Sequence, residues 1–170
     1  MLDKFNRAFP QRDQCFQTLT VQQFCVYDHA ELKRCFVQND PDGVVHFTVN
    51  NPTEKAIHLL AVDGCLLSSA DPSRCDCAIF DESTLCLVEI KTVSKKQRRN
   101  KRLDAENQLK TSALFFQTQL SLTEEFIEAY VCLLDSNTFG PCVRSNSASQ
   151  ILQFANLGID LHYTNKKHFL

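Results

Sequence analysis

The spacing of hydrophobic and polar positions changes rhythm several times along this chain, and the changes outline its elements. Residues 1–20 carry no regular period; Phe5, Phe9, Phe16 and Leu19 are placed to anchor a loosely packed arm. Over 21–38, Val21, Phe24, Cys25, Leu32 and Phe36 suggest an amphipathic stripe interrupted at Asp28-His29. Residues 1–40 are thus expected to be helical or irregular. Asn39-Asp40-Pro41-Asp42-Gly43 is a turn signal.

The pattern then becomes that of strands. Residues 44–49 are β-branched and aromatic, 56–62 form an apolar run ended by Asp63-Gly64, and 75–80 and 85–91 are two more. Four strands in meander order are expected. A helix should follow to about Leu120, because Leu109, Ala113, Phe116 and Leu120 draw one buried stripe. The second half of 125–134 is apolar throughout and reads as a central strand. A short helix is expected over 147–157, with Ser147 as N-cap and Gly158 as its stop. Residues 159–163 close the chain as an edge strand. One domain over 1–170 results, with its core in 44–135 and a C-terminal helix and edge strand in 136–170.

Composition changes this picture little. At 170 residues, 44% hydrophobic and 22% charged, the chain suits one α/β (α+β) domain with a proper core. A net charge of −2 gives no global sign of a nucleic-acid or membrane surface. No apolar run is long enough to span a bilayer, and the first residues are mixed and polar. Nine cysteines, an odd number, then read as reduced thiols in a cytoplasmic protein. Cys65, Cys75, Cys77 and Cys86 lack the C-x2-C knuckle of a zinc site.

Local charge is more telling. Asp76 lies in Arg74-Cys75-Asp76-Cys77-Ala78-Ile79-Phe80, and Glu89 and Lys91 lie in Leu85-Cys86-Leu87-Val88-Glu89-Ile90-Lys91. In a strand, Glu89 and Lys91 share a face about 7 Å apart, and a paired strand lies about 5 Å away. Two carboxylates at that range form a hard oxygen site suited to Mg²⁺, and an adjacent lysine can hold a water or offset phosphate charge. A solvated Glu-x-Lys pair is the commoner meaning of such a motif. Here it ends an unusually apolar strand, where charges need a reason. Lys95, Lys96, Arg98, Arg99, Lys101 and Arg102 follow at once, placed to grip phosphates beside that site.

The order of apolar strand, Asp76, strand, Glu89-Ile90-Lys91, basic segment and helix with Gln108-Leu109 resembles the PD-(D/E)xK nuclease superfamily of restriction endonucleases and Holliday-junction resolvases. The resemblance covers about residues 57–120. It implies a restriction-endonuclease-like αβββαβ core, a mixed central sheet flanked by helices. It also implies a Mg²⁺- or Mn²⁺-dependent nuclease acting on DNA. Asp76, Glu89 and the Ile90 carbonyl would be metal ligands, Lys91 the catalytic lysine, and Gln108 the helix glutamine near the site. Cys75 stands where the family places proline. A further acidic ligand is open between Glu31 and Asp63, the latter also explained by an Asp-Gly turn. A homodimer fits an enzyme of this size that cuts two strands. The alternative is an inactive nuclease-fold module that binds nucleic acid or a protein partner.

Overall fold

The computed structural model describes residues 1–68, 74–123, 125–136 and 148–170. Two mixed β-sheets and three α-helices make up the described fold. The larger sheet has six strands: β1 (Phe16–Leu19), β5 (Ile57–Ala61), β6 (Cys77–Phe80), β7 (Thr84–Val93), β8 (Phe126–Asp135) and β9 (Ile159–His162), in the spatial order β1-β5-β6-β7-β8-β9. The smaller has four: β2 (Gln23–His29), β3 (Arg34–Val37), β4 (Phe47–Asn50) and β10 (Lys166–His168), in the order β10-β4-β2-β3. Helix α1 is Leu2–Ala8, α2 is Arg98–Leu120 and α3 is Ala148–Ala155.

Strands β5, β6 and β7 pair antiparallel in sequence order. Helix α2 then carries the chain back so that β8 lies parallel to β7, and α3 does the same for β9 on β8. Parallel neighbours need such a crossover. The larger sheet is therefore covered on both faces. Leu60, Ala78, Phe80, Leu85 and Leu87 face the helices, meeting Phe5, Leu109, Ala113 and Phe116. Ile57, Leu59, Cys77, Ile79, Cys86 and Val88 face the smaller sheet, meeting Phe24, Val26, Phe47 and Val49. Burial on both faces explains why β5, β6 and β7 read as nearly unbroken apolar runs.

Three expectations change. Residues 21–38 form the hairpin β2–β3 instead of a helical stripe. Val21 and Leu32, two members of that stripe, are exposed, while the alternating Phe24 and Val26 are buried. The strand at 44–49 belongs to the smaller sheet, so only three of the four expected strands form the meander. The N-terminal arm is firmly packed: Phe5 is fully buried and stacks on Phe80 at 4.1 Å, and β1 pairs with β5. Full burial of such a ring contributes about 1.5–3 kcal/mol.

The thiols are also not all reduced. Pairing of β1 with β5 brings Cys15 beside the turn after β5, and Cys15 and Cys65 form a disulfide with Cα atoms 5.6 Å apart. Cys25, Cys35, Cys75, Cys77 and Cys86 carry free thiols, all but Cys25 buried, and Cys132 is buried with its Sγ donating to the His46 carbonyl. Gly64, in the same turn, has φ +66°, and a Cβ there would stand 2.2 Å from the Lys33 carbonyl oxygen. Only glycine meets both conditions. The β2–β3 turn thus rests on the turn that carries Asp63.

Helix α2 and edge strand β9 match their expected positions, and Gly158 ends its helix region with φ +73°. Ser147 lies outside the described residues. Among those residues no helix is long and apolar enough to cross a membrane.

Candidate active site

Register is what brings the two carboxylates together. The β6–β7 ladder pairs Cys77 with Val88. Beyond that pair Asp76 stays beside β7: its N–H donates to the Val88 carbonyl at 3.1 Å, and its charge acts on Glu89. On the other side, the Asp76 carbonyl accepts the N–H groups of Val62 and Asp63 at 3.0 and 3.3 Å. Asp76 is thus held by its main chain between β5 and β7. Its side chain is fixed as well: Oδ2 accepts the Ile90 N–H at 2.6 Å.

Glu89 is completely buried. One of its oxygens, Oε1, meets the Lys91 ammonium as an ion pair, and Oε2 meets no hydrogen-bond donor among the described residues. Lys91 keeps 23% of its side chain exposed, so the pair runs from the interior to solvent. Burial pushes the Asp76 carboxyl up to about 7, against the pull of Lys91 and the Ile90 N–H. Burial, and next the Asp76 charge, push Glu89 well above the ordinary carboxylate range. Burial works to lower the Lys91 ammonium, but Glu89 and Asp76 outweigh it and the net shift is upward. Two buried carboxyl groups beside one ammonium thus tend to hold protons, which a divalent cation bound there would displace.

Carboxylate oxygens are the donor type that a hard cation takes. Among the described residues no three Asp, Glu, His or Cys side chains converge as ligands. Two carboxylates plus a main-chain carbonyl, the set ascribed above to Asp76, Glu89 and Ile90, do not require a third. Oε2 of Glu89 is a buried polar atom without a hydrogen-bond partner among the described residues.

Helix α2 supports the site from above. Gln108 Nε2 donates to the Arg74 carbonyl at 3.0 Å, and Ser112 Oγ accepts the Cys75 N–H at 2.7 Å. Positions four apart lie on one helix face, so two successive turns clamp the two residues before Asp76. Lys91, Lys101 and Gln108 line one cleft of about 310 Å³, together with Asp104 and Asn107.

The other candidates are distributed differently. Asp63 Oδ1 accepts Arg74 Nε at 2.8 Å and its side chain is 38% exposed; its charge still raises Asp76 and Glu89. Glu31 is exposed in the β2–β3 turn and is not part of a helix. In the basic run, Arg98 pairs with Asp135 at 3.8 Å and Arg102 with the buried Glu106 at 3.3 Å. Lys95, Lys96, Arg99 and Lys101 are exposed.

Two further residues near the site lie outside the sequence motif. Ser112 has a usable signal, its four-residue spacing from Gln108. Asp28, on β2, acts electrostatically on both Asp76 and Lys91, and burial raises its own carboxyl. No local pattern marks Asp28, because its nearness arises from the packing of two sheets. Compared with protein-family models, curated proteins and solved structures, the chain matches none.

Proposed function

We propose that this protein is a Mg²⁺- or Mn²⁺-dependent nuclease of the PD-(D/E)xK type that hydrolyses phosphodiester bonds in DNA. The observation that carries the reading is the buried Asp76, tied to β7 through the Val88 carbonyl and the Ile90 N–H, beside the buried Glu89 with its donorless oxygen and Lys91 two residues along the same face. Buried charge of this kind is costly, which makes the place that keeps it a functional-site candidate. The order β5-β6-β7-α2-β8 also supports it, since three antiparallel strands, a crossover helix and a parallel strand make up the βββαβ part of a restriction-endonuclease-like core.

Asp76, Glu89 and the Ile90 carbonyl would hold the cation. When bound, it would supply charge neutralisation at the phosphate and a more acidic water. Lys91 Nζ, at the mouth of the site, orients that water and faces charge that develops on the phosphate oxygens. Gln108 keeps the Arg74 carbonyl, and so the lead-in to Asp76, in place. Lys101, lining the cleft with Lys91, and the exposed Lys95, Lys96 and Arg99 draw the phosphodiester backbone.

The test is cleavage of plasmid, duplex and single-stranded DNA with Mg²⁺ or Mn²⁺. Wild type should cleave, and Asp76→Ala and Lys91→Ala should each lose about 100-fold or more. Activity surviving both substitutions sinks the reading. Binding without cleavage under every condition leaves the inactive nuclease-fold module in its place.

A further inference from the structure

The smaller sheet has two unlike faces. Buried positions alternate along its strands: Phe24 and Val26 on β2, Cys35 on β3, and Phe47 and Val49 on β4 all pack toward the larger sheet. The positions between them point the other way. Tyr27 and His29 of β2 and Arg34 and Phe36 of β3 thus share the outer face, where they are half-buried. Lys166 and His168 of β10 lie on the same face and are exposed. The helices pack against β7, β8 and β9 of the larger sheet or against one another, so among the described residues no helix covers this face.

Flat groups gather on it. Tyr27 and Phe36 are ladder partners with ring centroids 5.9 Å apart and planes inclined by 32°. His29 lies 6.1 Å from Tyr27 and 6.2 Å from Phe36. The Arg34 guanidinium, which donates to the Gln14 carbonyl, stands 5.1 Å from the centre of the Phe36 ring. A cross-strand aromatic pair by itself steadies a sheet. The charge around this one gives it a further use. Asp28 is the one acidic residue in the four strands, and it lies on the inner face, lining a cleft with Ile90 and Thr92. Lys167 is turned inward as well, where it pairs with Glu128. Glu31 and Asp40 lie in the loops that flank β3. The outer face thus keeps Arg34 and Lys166 with no strand carboxylate beside them. They stand on the two edge strands, β3 and β10, which three strand spacings put about 14 Å apart.

We infer that the outer face of the smaller sheet is a docking surface for single-stranded DNA, with bases stacked on Tyr27 and Phe36 and phosphates at Arg34 and Lys166. Every unpaired base has a π-face that such rings take up, and the cations hold the backbone that joins the bases. Bases inside a duplex are stacked on one another and present no free face. The face is turned away from the larger sheet that carries Glu89 and Lys91, so a strand held here leaves the candidate active site open. Only the choice of DNA over RNA rests on the nuclease reading; the stacking and the charge stand on this face alone.

Fluorescence anisotropy tests it in EDTA, where no metal-dependent cleavage intervenes. The probes are a labelled 12-nucleotide dA strand and, at equal length, an abasic strand, an rA strand and a blunt DNA duplex. The dA strand should bind about tenfold or more tighter than the abasic strand or the duplex, because the abasic strand keeps the phosphates and lacks the bases. Tyr27→Leu and Phe36→Leu should each weaken dA binding by about 5- to 150-fold, and Tyr27→Phe, which keeps the ring, by no more than about twofold. The two leucine variants alter different strands, so one stays informative if the other unfolds. Lys166→Gln should lower the slope of log affinity against log salt by about 0.7. Equal binding of the abasic strand overturns the inference, as does wild-type dA binding by a folded Tyr27→Leu or Phe36→Leu variant. An rA strand bound about tenfold tighter than dA would overturn the assignment to DNA. Base-dependent binding without any metal-dependent cleavage would overturn the nuclease reading and keep this site; cleavage without base-dependent binding would do the reverse.

Discussion

The main-chain N–H of Ile90 donates to Asp76 Oδ2 at 2.6 Å, so a single side chain both caps the open side of β7 and serves as a candidate ligand. These duties can be separated. Asp76→Asn retains an acceptor oxygen and removes a charge whose burial is unfavourable. It should be at least as stable as wild type in urea denaturation while losing metal-dependent cleavage by about 100-fold or more. Asp76→Ala orphans the Ile90 N–H and should cost about 1–3 kcal/mol. An Asp76→Asn protein that cleaves normally would remove Asp76 from the chemistry.

The same burial gives the stability a pH dependence. Asp76 is raised from an ordinary value of 3.8 to about 7, and Glu89 is raised as well. The native state then binds more protons than the unfolded state between these values, so stability falls as pH rises. Without divalent metal, urea midpoints should drop from about pH 4 to about pH 7, the window set by the Asp76 shift. Asp76→Asn and Glu89→Gln should each flatten that slope. Metal competes with these protons, so Mg²⁺ affinity should rise across the same window. A midpoint that climbs with pH in wild type would contradict the buried pair.

How far the sequence reveals this arrangement depends on the range of the interaction. Residues 75–91 disclose both strands and their carboxylates, because a short turn fixes the register of neighbouring strands and side-chain alternation does the rest. The hairpin at 23–37 stays hidden. Its apolar residues fit a helical stripe as well as an alternation, and burial of Phe24 and Val26 against another sheet decides between them. Asp28 is invisible as a neighbour of Lys91 for the same reason. The Cys15–Cys65 bridge depends on β1 pairing with β5 across 50 residues, which no local pattern announces.

Ser112 offers a sharper test of the α2 clamp. Its hydroxyl accepts the Cys75 N–H inside the core, and Ser112 itself is 2% exposed. Ser112→Ala leaves a buried donor unmet and should cost about 1–3 kcal/mol in chemical denaturation. Because Cys75 adjoins Asp76, the variant should also lower the cleavage rate at saturating DNA more than it weakens DNA binding. A stability loss with unchanged turnover would confine Ser112 to the core.

The basic run divides into two functions that salt titration can resolve. Arg98 and Arg102 are engaged with Asp135 and Glu106, whereas Lys95, Lys96 and Arg99 are exposed and make no ion pair among the described residues. Removing one cation that neutralises a phosphate lowers the slope of log affinity against log salt by about 0.7–0.9. The triple variant Lys95→Ala, Lys96→Ala, Arg99→Ala should therefore flatten the slope by about 2 if all three reach phosphates, with its melting transition nearly unchanged. Arg102→Ala should act in the opposite sense. It strips the buried Glu106 of its ion pair, leaving that carboxylate with the Tyr163 hydroxyl at 2.7 Å, and should destabilise the protein by about 3 kcal/mol with little effect on the slope. A triple variant with the wild-type salt slope would show that DNA reaches the Lys91 cleft by another face.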